Sequence, residues 1–329
     1  MYPWLSQALR RAPQLTEASL NTPCISLPYP QLSSLVVRSL CLESDQGFTC
    51  GLEMFLHFLS GCKQLETLAV QNIQLPDDLE LRAFDVELPS LRELALLEYS
   101  DREPNSASRA LLGSLITPSL VELRLHDHKW PDSHLFGLIP RHAPRIEHLV
   151  MDTYGAYEET LVPSDTGSPA PFVSFLRSLS YLRNLRLILA EYIGNGSYSG
   201  EIDYTTHAGT TLSALTSEIQ VPEEGSSPIL PHLESIYPNL MDIALDSATV
   251  TRVLDIAASR APVSLLKELT LVRTCNGDVS ETEEEEIFQP GVDLTERMKE
   301  LAMEGVRFVF GTSDTGGSYE APGMDLTRI

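Results

Sequence analysis

Leucine-rich stretches of this chain share one spacing: Leu or Ile, two residues, an apolar residue, one residue, and a second apolar residue. It occurs as PQLTEASL from Pro13, PQLSSLVV from Pro30, PSLRELAL from Pro89, PSLVELRL from Pro118, PRIEHLVM from Pro144 and PNLMDIAL from Pro238. Three further copies lack the proline: LETLAV from Leu65, LRNLRL from Leu182 and LKELTL from Leu266. The closing apolar pair, such as Leu123 and Leu125, has a period of two and so shares one face of a short strand. Proline stops a preceding helix and sets an extended entry into that strand.

Between copies the period changes. Met54, Phe55, Phe58 and Leu59 trace one side of an amphipathic helix, as do Leu111, Leu112, Leu115 and Ile116. Phe172, Phe175, Leu176 and Leu179 do the same, and so do Val250, Val253, Leu254 and Ala257. A strand–helix unit cannot bury its apolar side alone, but stacked copies can. The expected fold is therefore an α/β repeat solenoid, with a parallel sheet on the concave side and helices outside. Copies begin at residues 15, 32, 65, 91, 120, 146, 182, 240 and 266, an irregular series. The step of 17 leaves no room for a helix, and the step of 58 holds an insertion or a degraded copy.

The solenoid is expected over residues 1–310. A glycine-rich insertion at about 190–228 interrupts it, and Glu281 and Glu283–Glu286 mark an acidic loop at about 278–290. Leu294, Met298, Leu301 and Ala302 predict one more helix, and Val306, Phe308 and Phe310 a closing strand. Residues 311–329 have the composition of a flexible C-terminal tail.

Composition narrows the partners. The chain carries 46 acidic and 23 basic residues, a formal charge of −23. Such a chain repels nucleic acid and anionic membrane surfaces at long range. Its only lysines, Lys63, Lys129, Lys267 and Lys299, are scattered. The cysteines are Cys24, Cys41, Cys50, Cys62 and Cys275, an odd number without a C-x-x-C pair, which favours a reducing compartment. The first residues, MYPWLSQALRRAPQL, do not form a secretory signal, and no apolar run is long enough to span a membrane. Cytoplasm or nucleus is the expected location.

Residues flanking the inward pair face the other side of each strand. In three central copies these are Glu122, Arg124 and His126; His148, Val150 and Asp152; and Asn184, Arg186 and Ile188. Arginine beside aliphatic residues on an otherwise acidic chain suits a contact patch, so these nine are the candidate partner-binding residues. The same rule places Ser34, Val36 and Arg38, and Asp242, Ala244 and Asp246, on that face in two other copies, and Glu268, Thr270 and Val272 in the last.

Signals for chemistry are thin. His126, His128, His134, His142 and His148 crowd together, but without a standard metal spacing or a completing Cys or Glu. Asp165-Thr166-Gly167 and Asp314-Thr315-Gly316 match the D-T-G of pepsin-like aspartic proteases, whose two carboxylates share a proton. The apolar strand residues that should precede each Asp are replaced by Pro163-Ser164 and Thr312-Ser313. No phosphate-binding glycine loop or nucleophile elbow occurs. The expectation is a binding protein without cofactor, metal or catalysis, with a hydrolase as the alternative.

The Pro-x-Leu-x-x-Leu-x-Leu units with uneven helical returns resemble leucine-rich-repeat proteins over roughly residues 5–310. Among these they are most similar to the F-box/leucine-rich-repeat proteins, although no F-box is visible before Leu15. The resemblance implies the substrate-recognition part of a cullin-type ubiquitin ligase, with a protein partner on the concave face and a cullin-ligase adaptor as a second partner. A stand-alone leucine-rich-repeat scaffold is the other reading it leaves open.

Overall fold

A computed structural model describes residues 17–21, 39–43, 48–49, 52–71, 73–74, 85–97, 106–129, 137–139, 145–154, 171–190, 230–241, 247–260, 266–276 and 292–315. The chain divides into two compact units, Met1–Ile146 with Asp325–Ile329, and Glu147–Met324. Both are α/β, and each is built on a parallel sheet.

The first unit's main sheet joins β1 (Glu17–Asn21), β2 (Ser39–Glu43), β4 (Thr67–Gln71), β7 (Glu93–Leu97) and β9 (Glu122–Lys129), in that order. Two short pairs flank it: β3 (Phe48–Thr49) with β5 (Ile73–Gln74), and β6 (Val86–Glu87) with β8 (Leu115–Ile116). Helix α1 (Leu52–Gly61) precedes β4, and α2 (Ser106–Ser114) precedes β9. The amphipathic pattern extended α2 through Ile116, but Leu115 and Ile116 leave the helix to pair with Val86 and Glu87.

The second unit's sheet joins β10 (His148–Tyr154), β11 (Asn184–Ala190), β12 (Ser235–Met241), β13 (Glu268–Asn276) and β14 (Arg307–Thr315). Helices α3 (Pro171–Ser178), α4 (Ser247–Arg260) and α5 (Val292–Met303) fall between successive strands. Strand β14 runs to Thr315, five residues into the stretch expected as tail. The insertion expected at about 190–228 and the acidic loop at about 278–290 lie outside the described residues.

Strand starts are aligned within each unit. Glu17, Ser39, Thr67, Glu93 and Glu122 are register partners in the first, and His148, Asn184, Ser235, Glu268 and Arg307 in the second. The first unit's strands therefore repeat at steps of 22, 28, 26 and 29 residues. The second unit's steps are longer: 36, 51, 33 and 39.

This alignment corrects two copies. Leu32 does not open the second copy. Strand β2 begins at Ser39, and its Leu40 and Leu42 align with Leu68 and Val70. The run Leu35-Val36-Val37-Arg38-Ser39-Leu40-Cys41-Leu42 offers apolar alternation in either frame, and pairing to both neighbours selects the later one. Nor does Leu240 open the eighth copy. Leu233 does, in the phrase Pro231-His232-Leu233-Glu234-Ser235-Ile236, and Ile236 pairs with Leu185 and Leu269.

The proline has a second role besides stopping helices. Leu91 donates its N–H to the carbonyl of Leu88, Leu120 to Thr117, and Leu233 to Leu230. These are four-residue turns, and Pro89, Pro118 and Pro231 occupy their second position, where a fixed φ near −65° is already correct and no N–H is needed. Cys62-Lys63-Gln64-Leu65 and Leu179-Ser180-Tyr181-Leu182 make the same turn without proline.

After the turn, one carbonyl links each copy to the next. Glu66 accepts N–H bonds from Arg92 and Glu93, and Arg92 from Val121 and Glu122. In the second unit Glu147 serves Arg183 and Asn184, Arg183 serves Glu234 and Ser235, and Glu234 serves Lys267 and Glu268. The core then repeats slot by slot. Leu91, Leu94 and Leu96 are buried, as are Leu120, Leu123 and Leu125, and Leu182, Leu185 and Leu187. Helix residues such as Phe55, Leu59, Leu111, Leu176 and Leu254 are buried too. Emptying one such slot, Leu123→Ala for example, costs about 2–5 kcal/mol by the usual cavity scale.

Candidate interaction surface

Alternation along the strands turns every second side chain away from this core. On β9, Glu122 and Arg124 share that open face, and the Glu122 carboxylate meets Arg124 Nε at 2.5 Å. Arg124 is thus neutralised within its own strand. His126 follows on the same strand, but its side chain lies outside the described residues.

The second unit brings six of the nine candidates into three register pairs. His148 is the register partner of Asn184, and Val150 of Arg186. The Asn184 carboxamide nitrogen lies 2.7 Å from His148 Nδ1. In this contact the carboxamide donates and Nδ1 accepts. Asp152 pairs with Ile188 through the backbone, while their side chains lie outside the described residues.

One neighbour was missed by the sequence pattern. The Arg186 guanidinium carbon stands 4.6 Å from the centroid of the Tyr237 ring, within cation–π range. Tyr237 occupies the slot assigned to Ala244, because the copy starts at Leu233. The phrase beginning at Pro231 was the available signal. Ser235, Tyr237 and Asn239 thus hold the positions expected for Asp242, Ala244 and Asp246, which lie outside the described residues. In the same way Ser39, Cys41 and Glu43 hold those expected for Ser34, Val36 and Arg38.

The face continues across β13 and β14. Thr270 Oγ1 donates to Glu268 at 3.0 Å, and Arg307 Nη1 approaches Glu268 at 3.6 Å. Val150, Arg186, Tyr237 and Thr270 thus occupy the same position on four successive strands, apolar, cationic, aromatic and hydroxylic in turn.

Just before the strands runs a row of alternating charge. Glu147 meets Arg183 at 3.4 Å, Arg183 meets Glu234 at 3.6 Å, and Lys267 Nζ donates to Glu234 at 2.8 Å. The hydrogen bond from Lys267 holds the Glu234 carboxyl below the usual carboxylate range, against a smaller opposing effect of desolvation, with the charges of Lys267 and Arg183 adding to the lowering.

Burial pushes the Cys62 thiol up to about 11, so it is no ready nucleophile, and its Sγ is spent on the Phe58 carbonyl at 3.6 Å. Among the described residues, no three His, Cys, Asp or Glu side chains converge as metal ligands. Of the two D-T-G aspartates, Asp165 lies outside the described residues and Asp314 falls in β14 as the register partner of Cys275. No helix among the described residues is long and apolar enough to cross a membrane.

Comparison with known protein families gives no matching family model, and comparison with curated proteins gives no match.

Proposed function

We propose that the chain is a leucine-rich-repeat module whose open strand face, in the second unit, holds a protein partner. The observation that carries this reading is the row of half-buried Val150, Arg186 and Tyr237 on aligned strands, with Arg186 stacked on Tyr237. Arginine and tyrosine are the side chains over-represented where binding energy concentrates, and a guanidinium held against a ring has lost much of its freedom before a partner arrives. Arg124 contributes less, because its charge is already met by Glu122. Within the F-box resemblance the partner is a substrate for ubiquitination, and a cullin-ligase adaptor binds elsewhere on the chain.

The test is purification of the tagged chain with quantitative mass spectrometry, beside Arg186→Glu and Tyr237→Ala. Each substitution is expected to lower recovery of the partner by about tenfold or more, the scale of a hot-spot loss. An adaptor recovered equally with all three forms supports the ligase role; a lost partner without an adaptor leaves a stand-alone scaffold. If neither substitution changes what is recovered, this face is not the binding site.

A further inference from the structure

We infer that β12 has two registers, seven residues apart, and that the chain exchanges between them. Two overlapping strand phrases share Pro238: PHLESIYP from Pro231 and PNLMDIAL from Pro238. The structure uses the first, and in doing so makes Pro238 the register partner of the buried Leu187 of β11. Every other described strand of this sheet has Met, Leu or Phe there: Met151, Leu187, Leu271 and Phe310. The ladder from β12 to β13 pairs Ser235 and Ile236, passes over Tyr237 and Pro238, and resumes at Asn239. Proline has no N–H to give to a sheet, and an interior strand is where it fits worst.

The second phrase removes that defect. Shifted by seven residues, Pro238 becomes the second residue of the entry turn, the place held by Pro89 and Pro118 in the first unit. Leu240, Ile243 and Leu245 then fill the slots of Leu233, Ile236 and Pro238. The step to β13 falls from 33 residues to 26, the step between β4 and β7. Room for the shifted strand comes from α4, which has 14 residues against 10 in α1. Its first turn, Ser247-Ala248-Thr249-Val250, is rich in weak helix formers and has no acidic residue to meet the helix dipole.

What favours the observed register is local: Leu230 is buried at its entry turn, and the Leu230 carbonyl accepts from the buried Arg260. Glu234 ties Arg183 to Lys267, and Tyr237 lies under Arg186. In the shifted register Met241 replaces Glu234 and Ala244 replaces Tyr237, so both ties are lost. A more regular apolar strand is thus set against a better surface, and a register is weakly specified where two patterns both fit. The exchange would also change the face offered to a partner, a consequence that rests on the binding reading above; the exchange itself does not.

Disulfide trapping reads the register without any partner. Asn184→Cys with Ser235→Cys reports the observed register, and Asn184→Cys with Asp242→Cys the shifted one, each mapped by peptide sequencing under mild oxidation. Aligned neighbours on adjacent strands are within disulfide reach. Both links are expected to form. Pro238→Val restores an N–H to the observed ladder and removes the shifted phrase's turn residue, so it should cut the 184–242 yield by about fivefold or more while the 184–235 link persists. Glu234→Ala, a change at a partly exposed side chain, should raise the 184–242 yield, and it serves if Pro238→Val does not fold. A 184–242 link that never forms while 184–235 does, or whose yield neither substitution moves, overturns the proposal. Partner recovery unchanged by Arg186→Glu and Tyr237→Ala, with both links still trapped, would count against the binding reading alone.

Discussion

Gly305 closes α5 with φ at 95°. Its N–H bonds to the Ala302 carbonyl and the next N–H, of Val306, reaches back to Leu301, which together cap the helix end. Val306 and Leu301 are both buried, the apolar contact that usually accompanies this cap. A Cβ at Gly305 would meet nothing within 4 Å, so the cost of Gly305→Ala is conformational alone. It should destabilise the chain by about 1 kcal/mol in urea unfolding, and Gly305→Asn by less, since Asn tolerates this region. Leu230 shows the opposite economy: φ is 52° without glycine. The side chain is buried, and Arg260, itself only 2% exposed, donates from Nη1 to the Leu230 carbonyl at 3.0 Å. Burial lowers the Arg260 pKa to about 10, which still leaves the guanidinium charged at neutral pH. Of these residues the glycine is legible as a helix stop, while nothing in the sequence around Leu230 announces a left-handed turn or its distant arginine. Tyr237 was hidden for a different reason: its side-chain direction depends on a register, and Pro238 pointed to one seven residues from that observed.

At the scale of elements, the apolar spacing located the strands wherever one frame dominates. PSLRELAL and PSLVELRL each offer a single good alternation, and β7 and β9 fall there with Leu94, Leu96, Leu123 and Leu125 inward. Strands β2 and β12 were misplaced because each lies within two overlapping candidate frames, and only pairing with neighbours on both sides decides between them. The same neighbours explain the acid behaviour expected of this region. The Glu234 carboxyl is held down in the folded chain, so its contribution is complete above the ordinary carboxylate range. It is lost as pH falls through the lowered value, when the Lys267 and Arg183 contacts lose their partner. Glu234→Gln should therefore be less stable than the parent at neutral pH, and the two should converge as denaturation is repeated toward strongly acidic pH. A difference that stays constant across that range would mean the charge of Glu234 is not what matters.

For the whole molecule, most of the net charge of −23 falls in the second unit, whose 28 acidic and 10 basic residues leave −18 against −5 in the first, so self-repulsion opposes compaction chiefly there. Screening should relieve it: the melting temperature is expected to rise as salt increases from about 0.01 M to about 0.15 M, where the Debye length shortens from roughly 30 Å to 8 Å. Calorimetry across that series checks it, and a falling melting temperature would mean that attractive pairs such as those of the Glu147–Arg183–Glu234–Lys267 row outweigh the general repulsion. Among the described residues, strand–helix alternation was legible at β4, β9, β11, β13 and β14, each preceded by a helix, because it is a local pattern. The division at Ile146–Glu147 was not, since the repeat phrase PRIEHLVM runs straight through it.

The carbonyl that links one copy to the next has a consequence for descent as well as for structure. Glu66, Arg92, Arg183 and Glu234 each serve the copy immediately following, through backbone atoms that every residue type possesses. For these links a neighbour needs only the right strand entry, and for the core the same apolar slots. Duplication or excision of a whole copy would leave the remaining backbone bonds with equivalent partners, whereas loss of part of a copy would strand a carbonyl and its two donors. Such a chain can change length over generations in whole copies, while the segments between strands are free to drift to the unequal lengths seen in the second unit.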